Sequence, residues 1–146
     1  MSLDSLRKLK ERAEEAVMME LARITHDLAG VEHRCDALTG RMESDAAAFR
    51  TQAEQGMAIE AMLEWQGRMD EARAAVQQSR RVIADLTDRW TQAQARLLVA
   101  TQERTVLDRL AERHENAQRE DARRREQRAT DEAASRFRLW SRKSVS

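Results

Sequence analysis

The sequence contains no proline and no tyrosine, and it has one cysteine, four glycines, three tryptophans and two phenylalanines. Each scarcity removes a possibility. Without proline, no residue removes a backbone donor from the interior of a helix. With so few aromatic residues and 36% of the side chains charged, the 146-residue chain falls in the class that forms long helices or coiled coils rather than a compact globule. A lone cysteine, Cys35, has no internal disulfide partner, and the opening MSLDSLRKLKERAEE lacks the apolar stretch of a signal peptide. A reducing, cytoplasmic setting is expected. No segment approaches the roughly 20 consecutive apolar residues that span a bilayer, so direct membrane insertion is not expected. The 26 basic and 26 acidic residues cancel, which removes the chain-wide attraction typical of nucleic-acid or anionic-membrane binders. The expected partners are proteins.

What the chain does have is heptad spacing. Val17, Leu21, Ile24, Leu28, Val31, Cys35, Leu38, Met42 and Phe49 follow one another in steps of four and three, with only the polar Asp45 out of character in the series. The pattern traces back less cleanly through Ala13 and Lys10 to Leu6 and Leu3. A second seam runs from Met62 and Trp65 through Met69, Ala72, Val76, Ser79, Ile83, Leu86, Trp90, Ala93, Leu97, Ala100, Arg104 and Leu107 to Ala111, and stops there. Helix one is expected over about residues 3–50, a turn over about 51–60 and helix two over about 61–138, with a frayed end at 139–146. All of it forms one coiled-coil domain over residues 1–146.

Between the seams the register is lost, and Gly56 supplies a residue that tolerates positive φ. The seams are nearly equal in length, as an antiparallel hairpin folded about that turn requires. The expected fold is therefore all-α, a long two-helix antiparallel coiled-coil hairpin with a C-terminal helical extension. Reflection about residue 55 or so brings Trp65 near Phe49, Trp90 near Ile24 or Leu21, and Leu107 near Leu6. A parallel homodimer of continuous helices is the structural competitor, and the broken register with Gly56 argues against it.

Past Ala111 the hairpin offers no intramolecular partner. The segment is still suited to helix, because Glu115 and Arg119, Glu120 and Arg124, Asp121 and Arg125, and Glu132 and Arg136 are acid-before-base pairs four apart, each worth a few tenths of a kcal/mol. From Arg113 to Lys143 there are ten basic residues against six acidic ones. The extension is a projecting basic arm or, more blandly, a solvated charged helix.

The stretch ARLLVATQERTVLDRLAERHENAQREDARRREQRATDEAA resembles the C-terminal signature of the flagellar FliJ family. In that signature a leucine-acid-base-leucine step, here Leu107, Asp108, Arg109 and Leu110, precedes a charged run. The run ends in glutamate-glutamine, here Glu126 and Gln127, followed by aspartate-glutamate, here Asp131 and Glu132. The N-terminal LDSLRKLKERAEE and the chain length are similar to the family's as well.

The resemblance implies a soluble protein of the flagellar type III export apparatus, located peripherally at its cytoplasmic base. It implies a stalk-like hairpin that inserts into the hexameric export ATPase and promotes its assembly and activity. It also implies contact with the cytoplasmic domain of the export gate and escort of export chaperones. On that basis Arg113, Arg123, Arg124, Arg125, Glu126, Gln127, Asp131 and Glu132 are the candidate ATPase-facing residues. Many members carry tyrosines near the end of helix one as part of the gate-binding surface; this chain has none and presents Arg41 and Asp45 there. The equivalent stalk of a virulence injectisome is a second choice within the class, and a generic coiled-coil scaffold is the alternative outside it.

Other chemistry has weak support. Cys35 lies on the seam between Val31 and Leu38 with no second cysteine near, so packing is its expected role. His26 and His33 are seven apart, not the four of helical metal sites. There is no Gly-rich phosphate loop, and Glu14 and Glu15 are expected on polar faces without a cleft. No cofactor, metal or enzymatic activity is expected. Arg123, Arg124 and Arg125 are surrounded by acids and lack interleaved aromatics, which disfavours nucleic acid. Trp65 and Trp90 sit on the seam, whereas Phe137, Leu139 and Trp140 lie beyond it, either at a frayed terminus or as an aromatic anchor for a partner groove.

Overall fold

The computed structural model describes residues 2–145, the side chain of Val145 excepted. It contains two helices, α1 (Leu3–Gln55) and α2 (Ile59–Val145). Their residues divide into two compact units, Ala13–Val99 and a second one made of the chain up to Arg12 and from Ala100 onward.

In Ala13–Val99 the helices form an antiparallel hairpin. Ile24, Val31 and Cys35 are buried on α1, and Met69, Val76, Leu86 and Ala93 on α2. Leu21, Leu28, Leu38 and Met42 are half-buried beside the first set, and Ala72, Ile83, Trp90 and Leu97 beside the second. These positions follow the steps of four and three that carry one face of each helix along the other. Full burial of one such Leu, Ile, Val or Met contributes roughly 1.5 to 3 kcal/mol. Near the turn, Phe49 stacks on Trp65 with ring centroids 3.8 Å apart and planes 15° apart. Farther along, Arg96 donates two hydrogen bonds to the Glu20 carboxylate, at 2.8 and 3.0 Å.

The midpoints of these two pairs fall at residues 57 and 58. The helices thus reflect about the turn itself, two or three residues past 55, which sets Trp90 at the level of Ile24, one of the two positions expected. The turn is shorter than the segment 51–60 suggests. Thr51 to Gln55 remain helical, because glutamine, glutamate and alanine favour helix even where the seam has ended. Gly56 then takes φ of 96° and donates its N–H to the Ala53 carbonyl at 3.2 Å, closing the last turn of α1.

Three positions depart from the expected seam. Asp45 is exposed and its neighbour Ala46 is half-buried instead, since a carboxylate against the apolar partner helix would lose its hydration. Met62 is exposed and Ala61 half-buried, so α2 enters the seam one residue earlier. Ala13 is exposed while Glu14 is half-buried. Strict alternation of steps back from Val17 leads to Glu14, Lys10, Arg7 and Leu3, and the geometry of the helix prevails over the polarity of the residue.

The second unit is built differently. Ser2 caps α1: its Oγ accepts the Ser5 N–H at 3.2 Å, its carbonyl accepts the Leu6 N–H at 3.0 Å, and Asp4 lies in the positive first turn. The residues facing α2 include Arg7 and Lys10. Arg7 reaches Asp108 at 3.2 Å, Arg104 reaches the same carboxylate at 2.7 Å, and Lys10 reaches Glu103 at 2.8 Å. Leu3, Leu6 and Leu107 are half-buried around these ion pairs and Ala111 is buried. Beyond Ala111, α2 runs on to Val145, past the end expected near residue 138 and through the stretch 139–145 expected to fray. No glycine or proline interrupts it there, and Arg142 and Lys143 complement the negative end of the helix dipole.

Candidate functional site: the C-terminal arm

The candidate residues Arg113, Arg123, Arg124, Arg125, Glu126, Gln127, Asp131 and Glu132 all lie on α2 beyond Ala111, and all are exposed. Local charge pairing, not burial, organises them. Glu120, half-buried, accepts from Arg123 at 2.9 Å and stands 3.5 Å from the Nε of Arg124, so one carboxylate gathers two guanidinium groups. Arg119 stands 4.0 Å from Glu115. Gln127 donates to Asp131 at 3.3 Å, and the Thr130 hydroxyl donates to the Glu126 carbonyl at 2.9 Å. Asp121 with Arg125, and Glu132 with Arg136, share the spacing of four but are not drawn together. All four side chains are in water, where such a contact is worth only a few tenths of a kcal/mol.

The arm has two chemically distinct parts, which a count over its whole length conceals. Between residues 113 and 132 the six bases are Arg113, Arg119, Arg123, Arg124, Arg125 and Arg128, and six acids balance them. After Glu132 no acid follows up to residue 145, while Arg136, Arg138, Arg142 and Lys143 contribute four positive charges. The whole basic excess therefore belongs to the last dozen residues. The large exposed apolar side chains belong there too: Phe137, Leu139 and Trp140 are 66%, 56% and 65% exposed, and the two rings lie 6.2 Å apart in a tilted arrangement. Net charge per stretch, rather than per arm, was the signal in the sequence that separates them.

The hairpin surface carries shallow grooves. One of about 340 Å³ is lined by His26, Asp27, Gly30, Val31, Val82 and Leu86 among others. Toward the end of α1, another is lined by Leu38, Met42 and Ala72 together with Arg41, Asp45, Arg68 and Glu71, so its rim is charged. His33 is exposed and Cys35 is buried as a free thiol. Among the described residues no group of three or more His, Cys, Asp or Glu side chains could hold a metal ion, and no helix is long and apolar enough to cross a membrane.

The hydrogen bonds from Arg96 hold the Glu20 carboxyl below its ordinary value, the charges of Arg96 and Arg23 add to this, and partial desolvation opposes it.

In comparisons with known proteins, the family model described as flagellar FliJ protein matches residues 1–144 of the chain. No match was found among curated proteins or among solved structures.

Proposed function

The chain belongs to the flagellar FliJ family and is a component of the flagellar export apparatus, and from that premise we propose that it works there as a stalk whose arm, residues 112–140, is gripped by the hexameric export ATPase. The observation that carries this reading is the exposed, charge-paired helix from 113 to 132. It continues past the residues of α1 that could cover it and presents guanidinium and carboxylate groups around its circumference. Such a surface suits a pore lined by complementary charges, because water screens exposed ion pairs until a partner excludes it.

In this reading the protein promotes assembly and activity of the ATPase, couples it to the cytoplasmic domain of the export gate and escorts export chaperones. Gate contact at the turn end would run through Arg41, Asp45, Arg68 and Glu71, hence through charge rather than through phenolic rings. The generic scaffold is the opposing reading, in which binding resides in the hairpin and the arm is dispensable.

The experiment is ATP hydrolysis by the purified export ATPase in the presence of the full chain or of a chain ending at Ala111. The truncated hairpin keeps its fold, because its buried side chains all lie at or before Ala111. Stimulation by the full chain alone supports the stalk. Equal stimulation by both removes the arm from the mechanism and favours the scaffold. Changing Arg123, Arg124 and Arg125 to glutamate gives a milder version of the truncation, and the wild-type interaction should weaken as salt is added.

A further inference from the structure

Residues 133–145 differ in kind from the charge-paired stretch before them. The segment is helical and exposed from Ala133 to Trp140. Ala133, Phe137, Trp140 and Ser144 recur in steps of four and three, so they share one face, with the two rings side by side. Arg136 and Lys143 lie one residue outside that face, next to Leu139, while Arg138 and Arg142 occupy the opposite side. Aromatic and aliphatic side chains thus share a broad arc of the helix with two cations, and the segment contains no aspartate or glutamate.

A protein groove deep enough to take Phe137 and Trp140 would have to desolvate Arg136 and Lys143 with them, which is expensive without carboxylates placed to meet each. A lipid headgroup layer imposes no such condition. Phosphates are available at every lateral position, long cationic side chains reach up to them, and tryptophan settles at the boundary between polar and apolar zones. The neutrality of the whole chain does not weigh against this, because charges more than about 10 Å away are screened at ordinary salt and a surface senses only the local excess.

We infer that residues 133–145 form an interfacial segment that lays Phe137, Leu139 and Trp140 into the headgroup region of an anionic membrane, with Arg136 and Lys143 reaching lipid phosphates and Arg138 and Arg142, on the far side of the helix, adding to the local positive charge. The contact is peripheral and reversible. It is carried by residues 133–145, whereas the charge pairing that supports the proposed ATPase grip lies within residues 113–132.

The test is co-sedimentation of the full chain with vesicles of phosphatidylcholine alone and of phosphatidylcholine mixed with phosphatidylglycerol. The full chain should sediment with the mixed vesicles only, and added salt should release it. The double variant F137S/W140S, altered at exposed positions, should bind more weakly, and R136E/R138E should weaken binding by roughly tenfold or more, since each base near an anionic surface contributes separately. Quenching of Trp140 by lipid-borne quencher, read as the difference between the full chain and W140F, should appear only with the mixed vesicles. Equal binding to both vesicle types, no binding to either, or unchanged binding by both double variants overturns the inference. A loss of ATPase stimulation in F137S/W140S without any vesicle binding overturns it too, and assigns the aromatic pair to a protein groove.

Discussion

The hairpin of Ala13–Val99 and the pairing of residues 3–12 with 100–111 join the same two helices by different means. In the first, burial of Ile24, Val31, Cys35, Met69, Val76, Leu86 and Ala93 holds the helices together. In the second, Arg7, Lys10 and Arg104 occupy positions on the line of the seam and pair with Glu103 and Asp108, and at roughly one-third to one-half exposure these groups keep part of their hydration. Apolar burial is strong, insensitive to salt and tolerant of small displacements. Half-exposed ion pairs are individually weak and screened by salt, yet each demands a particular partner. One stretch therefore supplies strong, salt-insensitive cohesion, and the other adds weak, partner-specific pairing that salt loosens.

The comparison breaks most decisively at Leu86, which is 9% exposed. Leu86→Asp sets a carboxylate against the facing helix and should destabilise the protein by about 3 kcal/mol or more, seen as a large drop in the thermal midpoint followed by circular dichroism. If the variant melts like the parent, the apolar seam is not what holds that region together. A smaller change is expected at the turn. Gly56→Ala meets no atom within 4 Å, so its effect comes only from the φ of 96°, and a loss of about 1 kcal/mol follows from the backbone. No loss would mean that the turn relaxes to a conformation ordinary residues accept.

The ionic stretch should respond less still. A double-mutant cycle on Arg7→Ala and Asp108→Ala should give a coupling of about 0.5 to 1 kcal/mol, shrinking as salt rises, whereas the effect of Leu86→Asp stays constant. A coupling that ignores salt would place these groups in a drier setting than the structure shows. Smallest of all is Glu20. Its carboxyl is held below the ordinary value by the hydrogen bonds from Arg96, so its stabilising contribution is complete at neutral pH and disappears as the pH falls through that lowered value. Glu20→Gln should flatten this slight acid-side decline in the thermal midpoint. The effect is modest because both partners remain well exposed.

Much of the fold was legible because heptad spacing is a property of one helix at a time. The steps from Val17 to Phe49 and from Trp65 to Ala111, together with Gly56, suffice for two antiparallel helices and for the Phe49–Trp65 contact. The expected seam and the structure differ where polarity and step disagree. Ala13 is exposed and Glu14 half-buried, because the alternation of steps selects Glu14. At Asp45 the opposite happened, and the side chain turned to water while Ala46 took its place. The candidate site was legible as a stretch of α2 with nothing to cover it, but counting charges over the whole arm blurred the boundary after Glu132.

By itself, then, the sequence determined that the chain is helical, that each helix has one apolar face, where the chain turns and where the seam gives out, because these depend on residues within a few turns of one another. Only the tertiary structure decided which charged residues meet. Arg7 and Asp108 are 101 positions apart, and Glu20 and Arg96 are 76 apart. Spacing within one helix cannot select such partners. They follow from the alignment of the two helices, which the geometry of the Gly56 turn and the stacking of Phe49 on Trp65 set to within a residue.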